Sequence, residues 1–329
     1  MLSKILQRSW YEKFGIITAF LLPLSILYCG ISWLRRILYS YNILKSSKLP
    51  VPVVVVGNIS VGGTGKTPLV IAITQYLKAN GFNPGVISRG YGGKASQWPQ
   101  SVTTESDPAL VGDETVLIAN RCRCPVSVGP DRVAAANALL AAHQCDIIVS
   151  DDGLQHYAMK RDVEIAVVDG ERRFGNNLCL PAGPLRELPN RLRTVNVRVA
   201  NGSPAAGEFG MQLNAYAFHN VNSDSELKPL NAFASKYVEA VSGIGNNERF
   251  FRQLQDLGIH ISKHPFQDHH QYRMKDFSFL DQKPVLMTEK DAVKCRKFTL
   301  KNAWYLRVDA SLENKFYETL TNLLRNTNG

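Results

Sequence analysis

Three rhythms of apolar and polar positions run along the chain. The first is unbroken: "GIITAFLLPLSILYCGISWL" (15–34) carries no charge over a length close to the ~20 apolar residues that span a bilayer core. Lys13 precedes it, Arg35 and Arg36 follow it, and rings crowd both rims (Trp10, Tyr11, Phe14; Trp33, Tyr39, Tyr41). Cations and interfacial aromatics at both ends predict a membrane-seated helix, with Pro23 tolerable inside it. A buried helix of a soluble protein would leave those flanks unexplained. A cleaved signal peptide would need a small-residue exit that is missing here. Positive charge on both sides leaves crossing and lying in the interface as open alternatives.

The second rhythm is of short apolar, β-branched runs, the pattern of strands covered on both faces. "VPVVVVGNIS" (51–60), "PGVISRGYGG" (84–93), "PVSVG", "CDIIVSDDG" (145–153) and "DVEIAVVDG" (162–170) are such runs. The third rhythm is helical: 67–81, with Gly81 as its stop, a helix region over 107–122, and 131–143. Strands alternating with helices predict an α/β sheet of mostly parallel strands. After a turn-rich stretch at 171–195, "VNVRVANG" and "GMQLNAYAF" read as a hairpin. "YVEAVSGIGNNERFFRQLQDLG" (237–258) then restarts the strand–turn–helix order, "KPVLMTEKDAVK" and "AWYLRVDA" supply two more strands, and "ENKFYETLTNLL" a closing helix. The expected organisation is a membrane-associated helix with a basic flank (1–48), a P-loop lobe (49–195), a hairpin linker (196–230) and a second, smaller α/β lobe (231–329).

Composition sharpens this in two places. The net charge is +10 over 329 residues, and residues 1–50 hold seven cations (Lys4, Arg8, Lys13, Arg35, Arg36, Lys45, Lys48) against one anion, Glu12. Such an excess beside an apolar segment suits an anionic membrane surface. No basic stripe interleaved with aromatics follows, which argues against a nucleic-acid partner. The six cysteines form no C-x-x-C pair and read as reduced thiols.

The candidate chemistry begins with "GNISVGGTGKTP" (57–68). It ends as a phosphate-binding loop does, yet Ser60 stands where the usual first glycine would be. Reading Ser60 as the strand's last residue compresses the turn into Gly62-Gly63-Thr64-Gly65. Val61 stands where the deviant double-glycine loops carry a signature lysine. Glycine amides can face phosphate oxygens, Lys66 can reach the terminal phosphates, the Thr67 hydroxyl can hold Mg²⁺, and the following helix adds its dipole. The candidate nucleotide loop is therefore Ser60, Val61, Gly62, Gly63, Thr64, Gly65, Lys66 and Thr67. Asp151 and Asp152, ending a buried strand, are the candidate metal carboxylates with Thr67, either one being able to touch the ion. An acceptor hydroxyl would want a base. Asp113 in "VGDE" and the cluster His264, Asp268, His269, His270 both offer one; histidines at this spacing do not form a helical zinc set. Arg172, Arg173, Arg186, Arg191 and Arg193 could bind an anionic substrate or simply be solvated. Arg89 and Tyr91 in "SRGYGG" suit the edge of a cleft.

Taken in order, "GNISVGGTGKTP", "SRGYGG", "VGDE", "SDDGLQH", "FGNNLCLPAGPLRE", "FQDHHQY" and "TEKDAVK" behind an apolar helix resemble the tetraacyldisaccharide 4′-kinase family of lipid A biosynthesis. The resemblance covers essentially the whole chain and is weakest around 200–230. It implies a bacterial inner-membrane enzyme, its lobes on the cytoplasmic face. Such an enzyme moves the γ-phosphate of ATP, with Mg²⁺, to the 4′-hydroxyl of a tetraacylated disaccharide 1-phosphate lipid, giving lipid IVA. It implies a catalytic set of Asp113, His269 and Lys66, with His270 the alternative in the doubled histidine. Arg89, Tyr91, Arg186, Glu187 and His270 become candidate substrate residues, and "TEKDAVK" a nucleotide-side or interlobe contact. No obligate protein partner is implied. A membrane-tethered NTPase switch that releases free phosphate is the rival, as is a non-catalytic nucleotide-binding scaffold.

Overall fold

Residues 8–11, 15–223, 225–279 and 283–326 are described in the computed structural model; Lys4, Glu12, Lys13 and Phe14 lie outside them. The apolar segment forms one helix, α1 (Ile16–Ser40), with Pro23 inside it. Its polarity is inverted relative to a soluble surface helix. Thr18 and Ser25 face the protein, Ser25 Oγ donating to the Cys179 carbonyl at 2.6 Å. Ile16 (90% exposed), Phe20 (83%), Leu24, Ile26, Leu27, Ile31 and Trp33 face outward. A continuous exposed apolar face of this size marks a surface made for contact with another apolar phase. The helix is long and apolar enough to cross a membrane and is mostly unburied, which sets aside a soluble core helix.

The remaining chain builds one continuous sheet in the order β11-β10-β12-β13-β8-β7-β6-β1-β5-β2-β4-β3. The first lobe contains β1 (Val53–Gly57), β2 (Pro84–Ser88), β3 (Gln100–Val102), β4 (Val126–Val128), β5 (Ile147–Asp151), β6 (Val163–Asp169) and β7 (Val197–Asn201). All but β3 run parallel. Val53, Val54, Val55 and Val56 are each at most 1% exposed, and burying a valine contributes about 1.5–3 kcal/mol. The β-branched run is thus spent on a strand covered on both faces. α2 (Lys66–Ala79), α3 (Pro108–Val111), α4 (Asp113–Cys122) and α5 (Arg132–Ala142) follow; α2, α4 and α5 pack on this sheet, and α3 packs against α4. The helix region expected over 107–122 is broken at Gly112, where φ is +95° and an added Cβ would lie 2.8 Å from the Tyr91 carbonyl. That break places Asp113 on the first turn of a new helix.

Three expectations change. The stretch read as a hairpin is not one: β7 and β8 (Phe209–Asn220) pair in parallel, Val199 opposite Phe209 and Asn201 opposite Met211. On its other edge β8 pairs antiparallel with β13 (Ala303–Leu312), so β8 is the strand both lobes share; β9 (Leu227–Lys228) also pairs with β8. "KPVLMTEKDAVK" is not one strand. β12 (Val285–Thr288) ends where the Thr288 side chain caps α7 (Glu289–Cys295). The second lobe comprises β10 (Tyr237–Ser242), α6 (Asn247–Asp256), β11 (His260–Pro265), β12, α7 and β13. The closing helix α8 (Asn314–Arg325), placed with that lobe by sequence order, instead buries Phe316, Leu320 and Leu324 in the core of the first lobe. Tyr317 stacks on Tyr76 there, with ring centroids 4.5 Å apart.

Candidate active site

The glycine loop joins β1 to α2 at the carboxyl end of the sheet, and its entrance accounts for Ser60. Ser60 pairs with Leu185 in an antiparallel bridge, Val61 N–H donates to the Pro184 carbonyl (2.8 Å) and Arg186 N–H to the Ile59 carbonyl (2.7 Å). β1 itself ends at Gly57, so Ser60 is not its last residue as expected; the "PLR" segment holds it in an isolated bridge just before the glycine turn. Gly62 and Gly65 have φ of +111° and +93°. A side chain at Gly65 would put Cβ 2.7 Å from Asn201 Nδ2, the amide that donates to the Thr64 carbonyl at 3.1 Å. Asn58 Nδ2 donates to the buried Thr64 hydroxyl (3.1 Å), and Arg172 to the Gly63 carbonyl (3.3 Å). The loop is held from both sides while Gly63 faces open space.

β5 lies beside β1, with Asp151 in register with Val56. This brings the paired acids to the loop, where their surroundings drive them apart. Asp152 (φ +49°) receives both oxygens' bonds from Arg186 at 2.9 Å and stands 3.6 Å from Lys66 Nζ. Against the effect of burial, those cations hold it down to about 2. Asp151 is 1% exposed, accepts only a long bond from Ser88 (3.3 Å), and its Oδ1 has no partner. Burial, then the charges of Glu114 and Asp152, push it up to about 7. An orphaned buried carboxylate oxygen within the electrostatic reach of the loop lysine is what a cation site would leave. Among the described residues, no three His, Cys, Asp or Glu side chains cluster tightly enough to hold an ion unaided. That fits Mg²⁺, which is usually held by one or two carboxylates together with substrate phosphates and water.

Asp113 and His269, distant in sequence and on different lobes, meet: His269 Nδ1 lies 3.0 and 3.2 Å from the two Asp113 oxygens. Asp113 is 4% exposed. Burial opposes its charge, but the His269 bond, Lys290 and Lys294 bring it down to about 2. His269 sits at φ +58°, an unusual backbone for a non-glycine residue, and the Asp113 bond raises its pKa despite burial. Of the doubled histidine, it is His269 that meets Asp113. His270 bonds Asp276 (3.0 Å) and stacks on Phe266, and His264, on β11, bonds Glu239 of β10 (2.7 Å). Tyr91 packs its ring 5.0 Å from that of His269; Arg89, on the same turn, is exposed.

The arginines of the turn-rich stretch are mostly committed. Arg172 pairs with Asp169, Arg173 with Glu208, Arg186 with Asp152 and Arg191 with Glu164. Glu187 is buried and accepts from Gln155 Nε2 (2.8 Å) and from the Tyr157 hydroxyl. This network reaches α1, since Arg35 donates to the Gln155 carbonyl (3.1 Å) and Arg36 to Thr194 (3.1 Å). Sequence reading does not single out Gln155, Tyr157, Asn201 or Glu114. Lys290 and Lys294 lie in "TEKDAVK", expected as a nucleotide-side or interlobe contact, and form an i, i+4 pair on one helix face that meets first-lobe acids.

A parallel sheet with a glycine loop between β1 and α2, a lysine opening the helix and acids ending the adjacent strand define a P-loop protein of the nucleoside-triphosphate-using class. The family model "Tetraacyldisaccharide-1-P 4'-kinase" (LpxK) matches residues 17–325. The tetraacyldisaccharide 4'-kinase of Nitrosococcus oceani is 51% identical, covering 98% of this chain and 95% of that protein, and that of Coxiella burnetii is 45% identical, covering 96% and 95%. A crystal structure of Aquifex aeolicus LpxK in complex with ATP superposes with a TM-score of 0.82 at 30% identity, covering 94% of this chain and 100% of that one. The chain belongs to the tetraacyldisaccharide 4'-kinase family.

Proposed function

We propose that this protein transfers the γ-phosphate of ATP to the 4′-hydroxyl of a tetraacylated glucosamine disaccharide 1-phosphate, giving lipid IVA, at the cytoplasmic face of a bacterial inner membrane. The observation that carries the reading is the Asp113–His269 contact made across the two lobes. A switch that hands phosphate to water has no use for a carboxylate–histidine pair assembled this way. In support stand the family's name for its relatives and the outward apolar face of α1, which would keep the protein beside a lipid acceptor.

The amides of Gly62 to Gly65 and the first turn of α2 would receive the phosphates of ATP, with Lys66 neutralising the β- and γ-oxygens. Asp151, with the Thr67 hydroxyl, would hold Mg²⁺, whose contribution when bound is to offset charge developing on the phosphates. Asp152, bound to Arg186 and near Lys66, would orient those two cations. Asp113 would accept the acceptor hydroxyl's hydrogen bond and later its proton. Its low basicity is no obstacle, because a loose phosphoryl-transfer transition state keeps the nucleophile's proton until late. His269 would fix the carboxylate's orientation. Glu187, with Gln155 and Tyr157, would face the sugar, and Arg89 and Tyr91 would line the entrance.

The test is incubation of the purified protein with γ-labelled ATP, Mg²⁺ and the disaccharide lipid in mixed micelles. Label is expected in the lipid; label found only in free phosphate would overturn the kinase reading in favour of the switch.

A further inference from the structure

The carboxylates of the site and the cations that answer them come from opposite sides of one helix–helix seam. α4, on the first lobe, begins with Asp113 and Glu114 and ends near Arg121. α7, on the second lobe, opposes it with Glu289, Lys290 and Lys294. Arg121 pairs with Glu289 (2.7 Å) and with Asp309 at one end. At the other end Lys290 Nζ reaches Glu114 (2.9 Å), Asp268 (3.2 Å), His269 Nε2 (3.4 Å) and Asp113 (4.0 Å). One turn on, Lys294 Nζ lies 3.6 Å from Asp113 and 2.9 Å from Asp291, with its side chain only 2% exposed. Asp291 is itself fully buried and accepts from the Gly243 amide and the Thr288 hydroxyl. On the first-lobe side, the charge of Lys66 favours an ionised Glu114, and that of Glu114 disfavours an ionised Asp151.

Two consequences follow from chemistry alone. A carboxylate buried like Asp113 is costly to hold charged unless it is paired, and the cations near it, Lys290 and Lys294, both belong to the second lobe. A lysine ammonium has donors only, so its approach to His269 Nε2 makes that nitrogen the acceptor and leaves the ring proton on Nδ1, pointing at Asp113. We propose that Lys290, with Lys294 one turn further along α7, is a positioning residue for the Asp113–His269 pair: it supplies from the second lobe the charge Asp113 requires and selects the histidine tautomer that faces it. The carboxylate–histidine pair is therefore complete only while α7 lies against α4. This inference rests on the kinase reading for its catalytic meaning, but its geometry can be tested without activity.

The experiment compares Lys290→Gln, Lys290→Met and Lys290→Arg with the unaltered protein in micelles, with thermal melting and ATP binding checking the fold. Lys290→Gln and Lys290→Met are expected to lower kcat at least 10-fold with KM for ATP changed less than about threefold. The acidic limb of the kcat profile should move up by about one pH unit, because a neighbouring cation shifts such groups by 1–3. Lys290→Arg should keep the limb in place and recover most of the turnover. Independently of turnover, the ¹³C-labelled ring of His269, assigned by its loss in His269→Gln, should titrate at higher pH in Lys290→Gln than in the unaltered protein. An unmoved His269 titration, or losses as deep in Lys290→Arg as in Lys290→Met, would overturn the proposal. If the unaltered protein labels no lipid, the kinase reading fails, and the His269 titration still decides the role of Lys290.

Discussion

Asp151 offers the sharpest physical test of the site, because its charge is a cost the folded protein carries until something binds. It is buried, one oxygen is unpartnered, and burial together with Glu114 and Asp152 lifts it from 3.8 to about 7. A carboxyl whose folded pKa is raised contributes most favourably below its unfolded pKa, and that contribution is lost as pH rises toward the folded pKa. At ~1.4 kcal/mol per pH unit, the full loss above pH 7 is about 4 kcal/mol, of which roughly 2 kcal/mol is already felt at pH 5.5. Asp151→Asn keeps the shape and the Ser88 contact while removing the charge. For a chain of 329 residues, an unfolding entropy near 2.1 cal/mol/K per residue converts ~4 kcal/mol into about 6 °C. In EDTA without nucleotide, Asp151→Asn should melt about 3 °C above the unaltered protein at pH 5.5 and about 6 °C above it at pH 8.5. Mg²⁺ with ATP should then stabilise the unaltered protein more than the variant, while phosphate transfer falls in the variant. Differential scanning fluorimetry in micelles at the two pH values is sufficient. A variant that melts at or below the unaltered protein at pH 8.5, or a gain that does not grow with pH, would refute the reasoning.

Other expectations can be checked with the same preparation. Lys66→Ala should abolish label transfer to the lipid, since it removes the loop cation and also one of the cations that balance Asp152. Asp113→Ala should lower kcat about 10²–10⁴-fold while equilibrium binding of ATP, read by fluorescence, is retained. Asn201→Ala removes the amide between the Thr64 carbonyl and Arg249 of α6; at about 1 kcal/mol for each hydrogen bond it should weaken ATP binding roughly 5- to 30-fold by calorimetry. Leu24→Lys with Ile31→Lys, on the outward face of α1, should move the protein from the membrane pellet to the supernatant after a high-salt wash.

What the sequence disclosed depended on whether the signal was local. The valine strand, the glycine loop and the helix after it are contiguous, and β1, α2 and β5 lie where the pattern predicts them. Pairing direction is not local. The alternating stretches 197–201 and 209–220 have the same pattern whether they form a hairpin or, as here, run side by side in parallel. Nor does order along the chain reveal that α8 folds back onto α2, because an amphipathic helix does not specify which apolar surface it covers. The doubled histidine shows the same limit at the scale of one residue. Nothing in "DHH" distinguishes His269 from His270; Asp113 and Asp276, far apart in sequence, divide them. Ser60 is the converse case. It looks like a flaw in the loop motif until the Leu185 bridge shows it pinned to the "PLR" segment beyond the end of β1.

The distribution of partners between the lobes suggests why the pair is divided between them. On the proposed reading, the acceptor side is built wholly within the first lobe and tied to α1: Arg35 holds the Gln155 carbonyl, the Gln155 side chain holds Glu187, and the segment ending in Arg186 pairs with Ile59 and Val61 at the mouth of the loop. A lipid at the membrane surface would thus meet a surface whose geometry does not depend on the second lobe. The second lobe contributes what chemistry alone needs: His269 for Asp113, Lys290 and Lys294 for the buried charge, and Arg249 for the Asn201 amide that steadies Thr64. With α7 away from α4, Asp113 would lose the histidine and both lysines that orient it and balance its charge. On that reading, a base on one lobe with its counter-charges on the other is oriented and charge-balanced only while α7 lies against α4.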